Sequence, residues 1–218
     1  MIPRNGIDAL IFDYDGVIAN TEHLHWRSWA GILEPLGIHF TWEKYCEVGR
    51  GVHDVHMIDT LRKLVQDPSL LSEVEEQNAL RKRIMRNLCI SKPPIHPATI
   101  EMLLHLNGLK EYRLGLVTSS ARSDVEPVLR TAGIYHCFDA LVFGEDVTRH
   151  KPAPDPYLLI SSRLSIKTGL VFEDSDAGIT SAKQAGLAVA FIADPDQLPQ
   201  IVHRELSAHH PLKRTSNP

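Results

Sequence analysis

Ala9-Leu10-Ile11-Phe12-Asp13-Tyr14-Asp15-Gly16-Val17-Ile18-Ala19-Asn20-Thr21 is the stretch whose reading decides the fold. Its first four residues form a short apolar run with the character of a buried strand, so two carboxylates two residues apart arrive where that strand ends. In extended backbone, residues i and i+2 project to one side. Asp13 and Asp15 then face one space, where neighbouring like charges raise at least one pKa unless a cation lies between them. An Asp-x-Asp triplet alone is often a solvated turn, and a calcium loop of the EF-hand type would need Asp or Asn at position 17, where Val17 stands. A strand, then carboxylates, then Gly16 permitting a sharp turn, fits a site at the carboxyl end of a parallel sheet better.

The 218 residues suit one good-sized domain or a core carrying a smaller one. With 43% hydrophobic and 23% charged residues the composition is that of an ordinary soluble globular protein. A net charge of -4 and a pI near 6.3 argue against a general nucleic-acid binder. Cys46, Cys89 and Cys137 lack metal-ligand spacing and read as reduced, partly buried thiols of a cytoplasmic protein. Met1-Ile2-Pro3-Arg4 leads almost directly into the first strand, leaving no room for a signal peptide, and no apolar run approaches membrane-spanning length. The twelve histidines are scattered, and His209-His210 in the polar tail read as solvated.

After Glu22 helical signals take over. Trp26, Trp29, Ile32, Leu33 and Leu36 recur at helical spacing, with Gly37 placed to end the helix. Val55, Ile58, Leu61, Leu64 and Val65 form a second stripe stopped near Asp67-Pro68. Ser72 with Glu75 predicts a capping box for a third helix with apolar positions Leu80, Ile84 and Leu88. Beyond Lys92-Pro93-Pro94 strand and helix alternate. A helix over Ile100, Leu103, Leu104 and Leu106 ends at Gly108, and strand Leu114 to Val117 follows. Ser123 and Glu126 cap a helix that ends at Gly133. Then come strand Ala140 to Phe143, helix Pro156 to Leu164, strand Leu170 to Phe172, helix Ala177 to Ala185 and strand Ala188 to Ile192. Such alternation predicts an α/β fold, a Rossmann-like parallel sheet with helices on both faces. Residues 21–92 form an inserted helical cap, and 1–20 with 93–218 form the discontinuous core, with 211–218 a flexible tail.

Ligands of such sheets bind at the carboxyl ends of the strands. Thr118, Ser119 and Ser120 offer hydroxyls and backbone N–H groups to an anionic oxygen, although they could equally be caps. Lys151 stands in the proline-stiffened loop His150-Lys151-Pro152-Ala153-Pro154, where a lone Lys is more often solvated. Glu173-Asp174-Ser175-Asp176 opens a helix, where acidic residues can simply complement the dipole. Four strand ends carrying Asp/Asp, Thr/Ser, Lys and Glu/Asp are hard to explain as four independent accidents.

Asp13-Tyr14-Asp15-Gly16, Thr118-Ser119, Lys151-Pro152-Ala153-Pro154-Asp155 and Glu173-Asp174-Ser175-Asp176-Ala177-Gly178 resemble, in order, the four motifs of the haloacid dehalogenase-like hydrolases. The insert resembles the helical cap of the subgroup holding phosphoglycolate phosphatase-like enzymes and beta-phosphoglucomutase. The resemblance implies a phosphoryl-transfer enzyme in which Asp13 is the nucleophile and Asp15 the general acid and base. It implies Mg²⁺ held by the Asp13 side chain, the Asp15 carbonyl and Asp174, with Glu173 an additional or more remote partner. Thr118 and Lys151 would bind the phosphoryl oxygens, and Lys151 would hold Asp13 ionised. Gly16, Ser119, His25 and a cap loop carrying Gly49, Arg50 and Gly51 would face the substrate, with Arg50 as its cation.

Asp15 favours phosphate-ester chemistry over dehalogenation, because the dehalogenases lack that Asp. The resemblance thus implies a phosphatase acting on a small phosphorylated metabolite such as a sugar phosphate. The alternative is a phosphosugar mutase, whose pattern Thr21, His25, Arg27 and Trp29 match. Against it, the mutase's cap Arg position holds Asp54, and its second-motif Lys position holds Ala121, with Arg122 one place later. A non-catalytic, receiver-like phosphate-binding module is a third reading, which the helical insert weighs against. The expectation is a cytoplasmic enzyme with no nucleic-acid or membrane partner. Its oligomeric state is not set, and a monomer is compatible.

Overall fold

The computed structural model describes residues 6–48, 57, 58, 60, 61 and 67–208. Its centre is a five-stranded, wholly parallel sheet of β1 (Ala9–Phe12), β2 (Arg113–Val117), β3 (Ala140–Val142), β4 (Gly169–Glu173) and β5 (Ala188–Phe191), in the order β3-β2-β1-β4-β5. β1 lies in the middle, with Phe12 level with Leu116 on one side and Phe172 on the other. Its carboxyl end, and so Asp13, sits at the centre of one edge of the sheet.

Eight helices are described: α1 (Glu22–Leu33), α2 (Trp42–Val48), α3 (Pro68–Ser91), α4 (Pro97–Leu109), α5 (Arg122–Thr131), α6 (Asp155–Leu164), α7 (Asp176–Gln184) and α8 (Leu198–Ala208). Alternation along the strands supplies two cores. Leu10, Phe12, Leu114, Leu116, Leu170 and Phe172 pack with Leu103 and Leu106 of α4, Val125, Val128 and Leu129 of α5, and Leu198 and Val202 of α8. Ala9, Ile11, Val117 and Val171 point to the other face, against Tyr157, Ile160 and Leu164 of α6 and Ala182 of α7. Both faces are covered, as a parallel sheet requires. A third apolar cluster, Trp29, Leu33, Phe40, Tyr45, Met57, Leu61 and Val74, comes wholly from the segment between β1 and α4. No helix among the described residues is long and apolar enough to cross a membrane.

Four local expectations are corrected. Asp67 opens α3, its carboxylate accepting the Ser69 N–H at 2.9 Å with Pro68 in the first turn, so Ser72 lies inside the helix. Leu80, Ile84 and Leu88 turn outward, about half exposed, while Val74, Arg81 and Cys89 of the same helix are buried. Gly108 lies within α4, which ends instead at Lys110 in a left-handed conformation at φ 55°. α5 has Ala121 rather than Ser123 at its cap, and the free Arg122 N–H is satisfied from outside by the Glu145 carboxylate at 3.1 Å. Helices α2 and α8 answer to no element in the sequence reading. Cys89 and Cys137 are buried and Cys46 exposed, all three as free thiols. The second stripe's Val55, Leu64 and Val65, the loop Gly49-Arg50-Gly51, Asp54 and the tail 211–218 lie outside the described residues.

Candidate active site

Strand ends and the turns behind them assemble the site. Asp13 continues β1, its N–H bonded to the Phe172 carbonyl at 3.0 Å, and its side chain is buried. Gly16, at φ 75°, turns the chain sharply, and a Cβ there would lie 2.2 Å from Asp174 Oδ2, so only glycine leaves that carboxylate its place. Lys151 enters from the β3–α6 loop, which Ser181 Oγ anchors at the Ala153 carbonyl. Its ammonium is 2.8 Å from Asp13 Oδ1 and 2.6 Å from Glu173 Oε1, with only 7% of the side chain exposed.

Glu173 is fully buried and its two oxygens are shared out differently. Oε1 accepts from Lys151 and from the Tyr157 hydroxyl at 3.0 Å, while Oε2 accepts from the Asp174 and Ser175 N–H groups and from Ser175 Oγ, all within 3.1 Å. A Cβ at Gly178 would lie 1.7 Å from Oε1, so that glycine makes room for the carboxylate. Glu173 is therefore saturated by protein donors. Burial favours its neutral form, but the Lys151 charge, that lysine's hydrogen bond and the donors from Ser175 and Tyr157 outweigh it and keep the carboxyl below its usual range. Burial and the neighbouring anions hold the Tyr157 phenol well above its usual range, so it stays a donor.

One oxygen each of Asp13, Glu173 and Asp174 lies within 4.8 Å of the others, and all three residues are buried. Three carboxylates around one ammonium leave an excess of negative charge that suits a divalent cation with hard oxygen ligands. The electrostatics make the same demand. Burial pushes the Asp13 carboxyl well above its usual range, and the Glu173, Asp174 and Asp15 charges add to this, while Lys151 opposes it without prevailing. Lys151 works against burial at Asp13, and a divalent cation in the cluster would act in the same direction.

Asp15 is held separately. Thr21 and Ser120 hydroxyls donate to its two oxygens at 2.6 and 2.7 Å, Thr118 Oγ1 lies 3.5 Å away, and His25 Nε2 is 3.7 Å from Oδ1. Burial raises its pKa, but His25, Thr21 and Ser120 outweigh burial and leave it below the usual value. Thr118 is buried at the end of β2, its hydroxyl also accepting the Ser120 N–H at 3.0 Å. Ser119 and Ser120 line the cavity that opens over the site.

That cavity, about 300 Å³, lies between the sheet edge and helices α1, α2 and α3. From the core come Asp13, Asp15, Lys151 and Asp174; from the helical segment come Glu22, His25, Tyr45, Arg81 and Lys82. The Tyr45 hydroxyl donates to Glu22 Oε2 at 2.6 Å. Arg81 is buried with its guanidinium 3.9 Å from the Trp29 ring centre and bonded to Ser28 and Asn78. Arg86 ties α3 to α5 through Asp124 and Ser123. The sequence reading missed Tyr157, Glu22, Tyr45 and the α3 cations. Nothing in the local pattern distinguishes Tyr157 from a core aromatic, and the α3 cations sit in a helix whose apolar stripe points elsewhere.

Comparisons with known proteins bear on the family and the fold. Residues 10–192 match the family described as haloacid dehalogenase-like hydrolase. The chain is 29% identical over 184 residues to a phosphorylated carbohydrates phosphatase of Thermotoga maritima, covering 83% of this chain and 82% of that protein. It is also 29% identical over 193 residues to a fructose-1-phosphate phosphatase of Escherichia coli, covering 82% and 93%. Among solved structures, CbbY from Rhodobacter sphaeroides in complex with xylulose-1,5-bisphosphate superposes with a TM-score of 0.69 at 25% identity, covering 84% of each chain. With its ordered motifs, its sheet and its carboxylate cluster, the chain belongs to the haloacid dehalogenase-like hydrolases.

Proposed function

We propose that this protein is a Mg²⁺-dependent phosphomonoester hydrolase acting on a small phosphorylated metabolite such as a sugar phosphate. The observation that carries the proposal is the buried grouping of Asp13, Asp174 and Lys151 at the sheet edge, with Asp15 and the hydroxyls of Ser119 and Ser120 beside it. Its relatives act on phosphorylated carbohydrates, and the cavity's polar lining suits a substrate of that kind. Residues 21–92 serve as a cap over a core of residues 1–20 and 93–218.

Asp13 is the nucleophile: its carboxylate oxygen bonds to phosphorus as the bond to the leaving alkoxide breaks, giving an aspartyl phosphate. Asp15 gives the departing oxygen a proton, then takes one from the water whose oxygen attacks phosphorus, and the bond to Asp13 breaks to release inorganic phosphate. The Thr21, Ser120 and His25 contacts favour the charged form of Asp15, which suits its second role as base. Lys151 and Thr118 stabilise the phosphoryl oxygens. Asp13 and Asp174 hold the Mg²⁺, with the Asp15 carbonyl as the family resemblance assigns it. When bound, the cation screens the repulsion between carboxylate and phosphate and stabilises charge on the phosphoryl oxygens. Glu173, saturated by five donors, supports the site from behind instead of ligating.

Hydrolysis is favoured over mutase chemistry by the wall near Ala121. Ala121 itself lines the cavity, while Arg122 lies with its guanidinium 4.2 Å from the Phe143 ring centre and pairs with Glu126 and Asp146, and Arg86, which also lines the cavity, is engaged by Asp124 and Ser123. A panel of phosphomonoesters assayed for phosphate release with Mg²⁺, and again with a chelator, tests the proposal. Turnover of at least one member that the chelator abolishes is expected; no turnover of any member overturns it, and isomerisation of a hexose 1-phosphate without phosphate release would support the mutase.

A further inference from the structure

Behind the cluster stands a residue that does not line the cavity. Tyr157, on α6, is fully buried, and its hydroxyl donates to Glu173 Oε1 at 3.0 Å. The same oxygen takes the Lys151 ammonium at 2.6 Å, and that ammonium lies 5.3 Å from the centre of the Tyr157 ring. Lys151 also reaches Asp13 at 2.8 Å, so one cation is divided between two carboxylates.

A carboxylate oxygen has two favourable acceptor directions. With Tyr157 in one of them, Glu173 Oε1 has a single direction left for Lys151, and part of its charge is already compensated by the phenol. Without the phenol, the full charge of Oε1 would fall on the ammonium already 2.6 Å away, strengthening that hold at the expense of Asp13 and of any phosphoryl oxygen bound there. The other oxygen cannot take over this role, because the Asp174 N–H, Ser175 N–H and Ser175 hydroxyl already occupy it.

We infer that Tyr157 is a positioning residue for catalysis: its hydrogen bond limits the hold of Glu173 on Lys151 and so keeps the ammonium on Asp13 and the phosphoryl group. This rests on the phosphatase reading above. Tyr157 stands in the apolar layer with Ile160 and Leu164, where phenylalanine would pack equally well. A tyrosine there leaves its hydroxyl to be explained, and the Glu173 contact explains it.

Tyr157→Phe is the first test, on the full chain with the best substrate of the panel. The expected result is a fall in kcat of roughly 10-fold, the scale of one hydrogen bond to a charged group. KM stays within about twofold, because the group acts on the transition state more than on binding. Inhibition by orthovanadate, which copies the phosphoryl group in transfer, weakens in parallel with kcat. If Tyr157→Phe does not fold, 4-aminophenylalanine and 4-fluorophenylalanine placed at position 157 fill the same space with and without a donor. The amino form keeps kcat within about threefold of wild type and the fluoro form shows the roughly 10-fold loss. Equal kcat in donor-bearing and donor-free variants, or a loss seen only in thermal stability, overturns the inference. Failure of the phosphatase reading would look different, since the wild type itself would then release no phosphate.

Discussion

Replacing Gly16 by Ala isolates the cation site from the backbone that carries it. Gly16 and Gly37 have nearly the same left-handed backbone, φ 75° and 74°, but different surroundings. A Cβ at Gly37 meets nothing within 4 Å, while one at Gly16 falls 2.2 Å from Asp174 Oδ2 and 2.7 Å from its Cγ. Both substitutions carry the left-handed cost of about 1–2 kcal/mol. In a chain of this size that lowers Tm by roughly 2–8 °C. Only Gly16→Ala also forces the Asp174 carboxylate back by close to an ångström, enough to loosen the bound ion by about 10- to 100-fold and to slow the chemistry comparably. Calorimetric titration of each purified variant with Mg²⁺ or Mn²⁺ alone, beside the metal dependence of phosphate release, separates the two effects. Similar Tm losses with a metal defect confined to Gly16→Ala are expected. Wild-type metal affinity in Gly16→Ala, or an equal defect in Gly37→Ala, refutes the reasoning.

Other consequences follow from groups away from the cluster. Asp8 accepts from the Lys167 and Thr168 N–H groups and the Thr168 hydroxyl, and these bonds, the backbone ones first, lower its pKa. Its stabilisation is therefore present above the unfolded carboxyl pKa of about 4 and lost as pH falls through the lower folded value. Screened by solvent, Asp8→Asn is expected to cost only about 0.5–1 kcal/mol at neutral pH in urea unfolding. The gap to wild type should narrow as pH falls below the unfolded value of about 4, and a gap that widens there contradicts the assignment. Burial, reinforced by the Asp15 and Asp124 charges, pushes the Cys89 thiol up to about 11, whereas Cys46 is exposed. At pH 8, roughly, a maleimide should label Cys46 first, with Cys89 protected until the chain unfolds, as peptide mapping would show.

The site was legible in the sequence to the extent that its chemistry lies at strand ends. Asp13, Lys151 and Asp174 each follow or flank an apolar run or a proline-stiffened loop, and the parallel sheet brings those places to one edge whatever the details of packing. What could not be read depends on contacts distant in sequence. Periodicity reveals a stripe on α3 but not which way it turns: Leu80, Ile84 and Leu88 face out because the inward side carries Arg81 over the Trp29 ring and Arg86 against Asp124. The cap of α5 comes from Glu145, 23 residues downstream, so a local capping pattern pointed to the wrong residue. Sequence spacing also shows that Asp13 and Asp15 share a region, but not that Thr21 and Ser120 hold one of them ionised while burial favours the neutral form of the other.

The covalent role of Asp13 is tested most directly by rapid acid quench of turning-over enzyme, followed by peptide mass spectrometry for a phosphoryl group. Wild type should carry that group on Asp13, and Asp13→Asn should neither carry it nor release phosphate. Phosphate release surviving intact in Asp13→Asn, or a phosphoryl group found on another residue, would contradict the account.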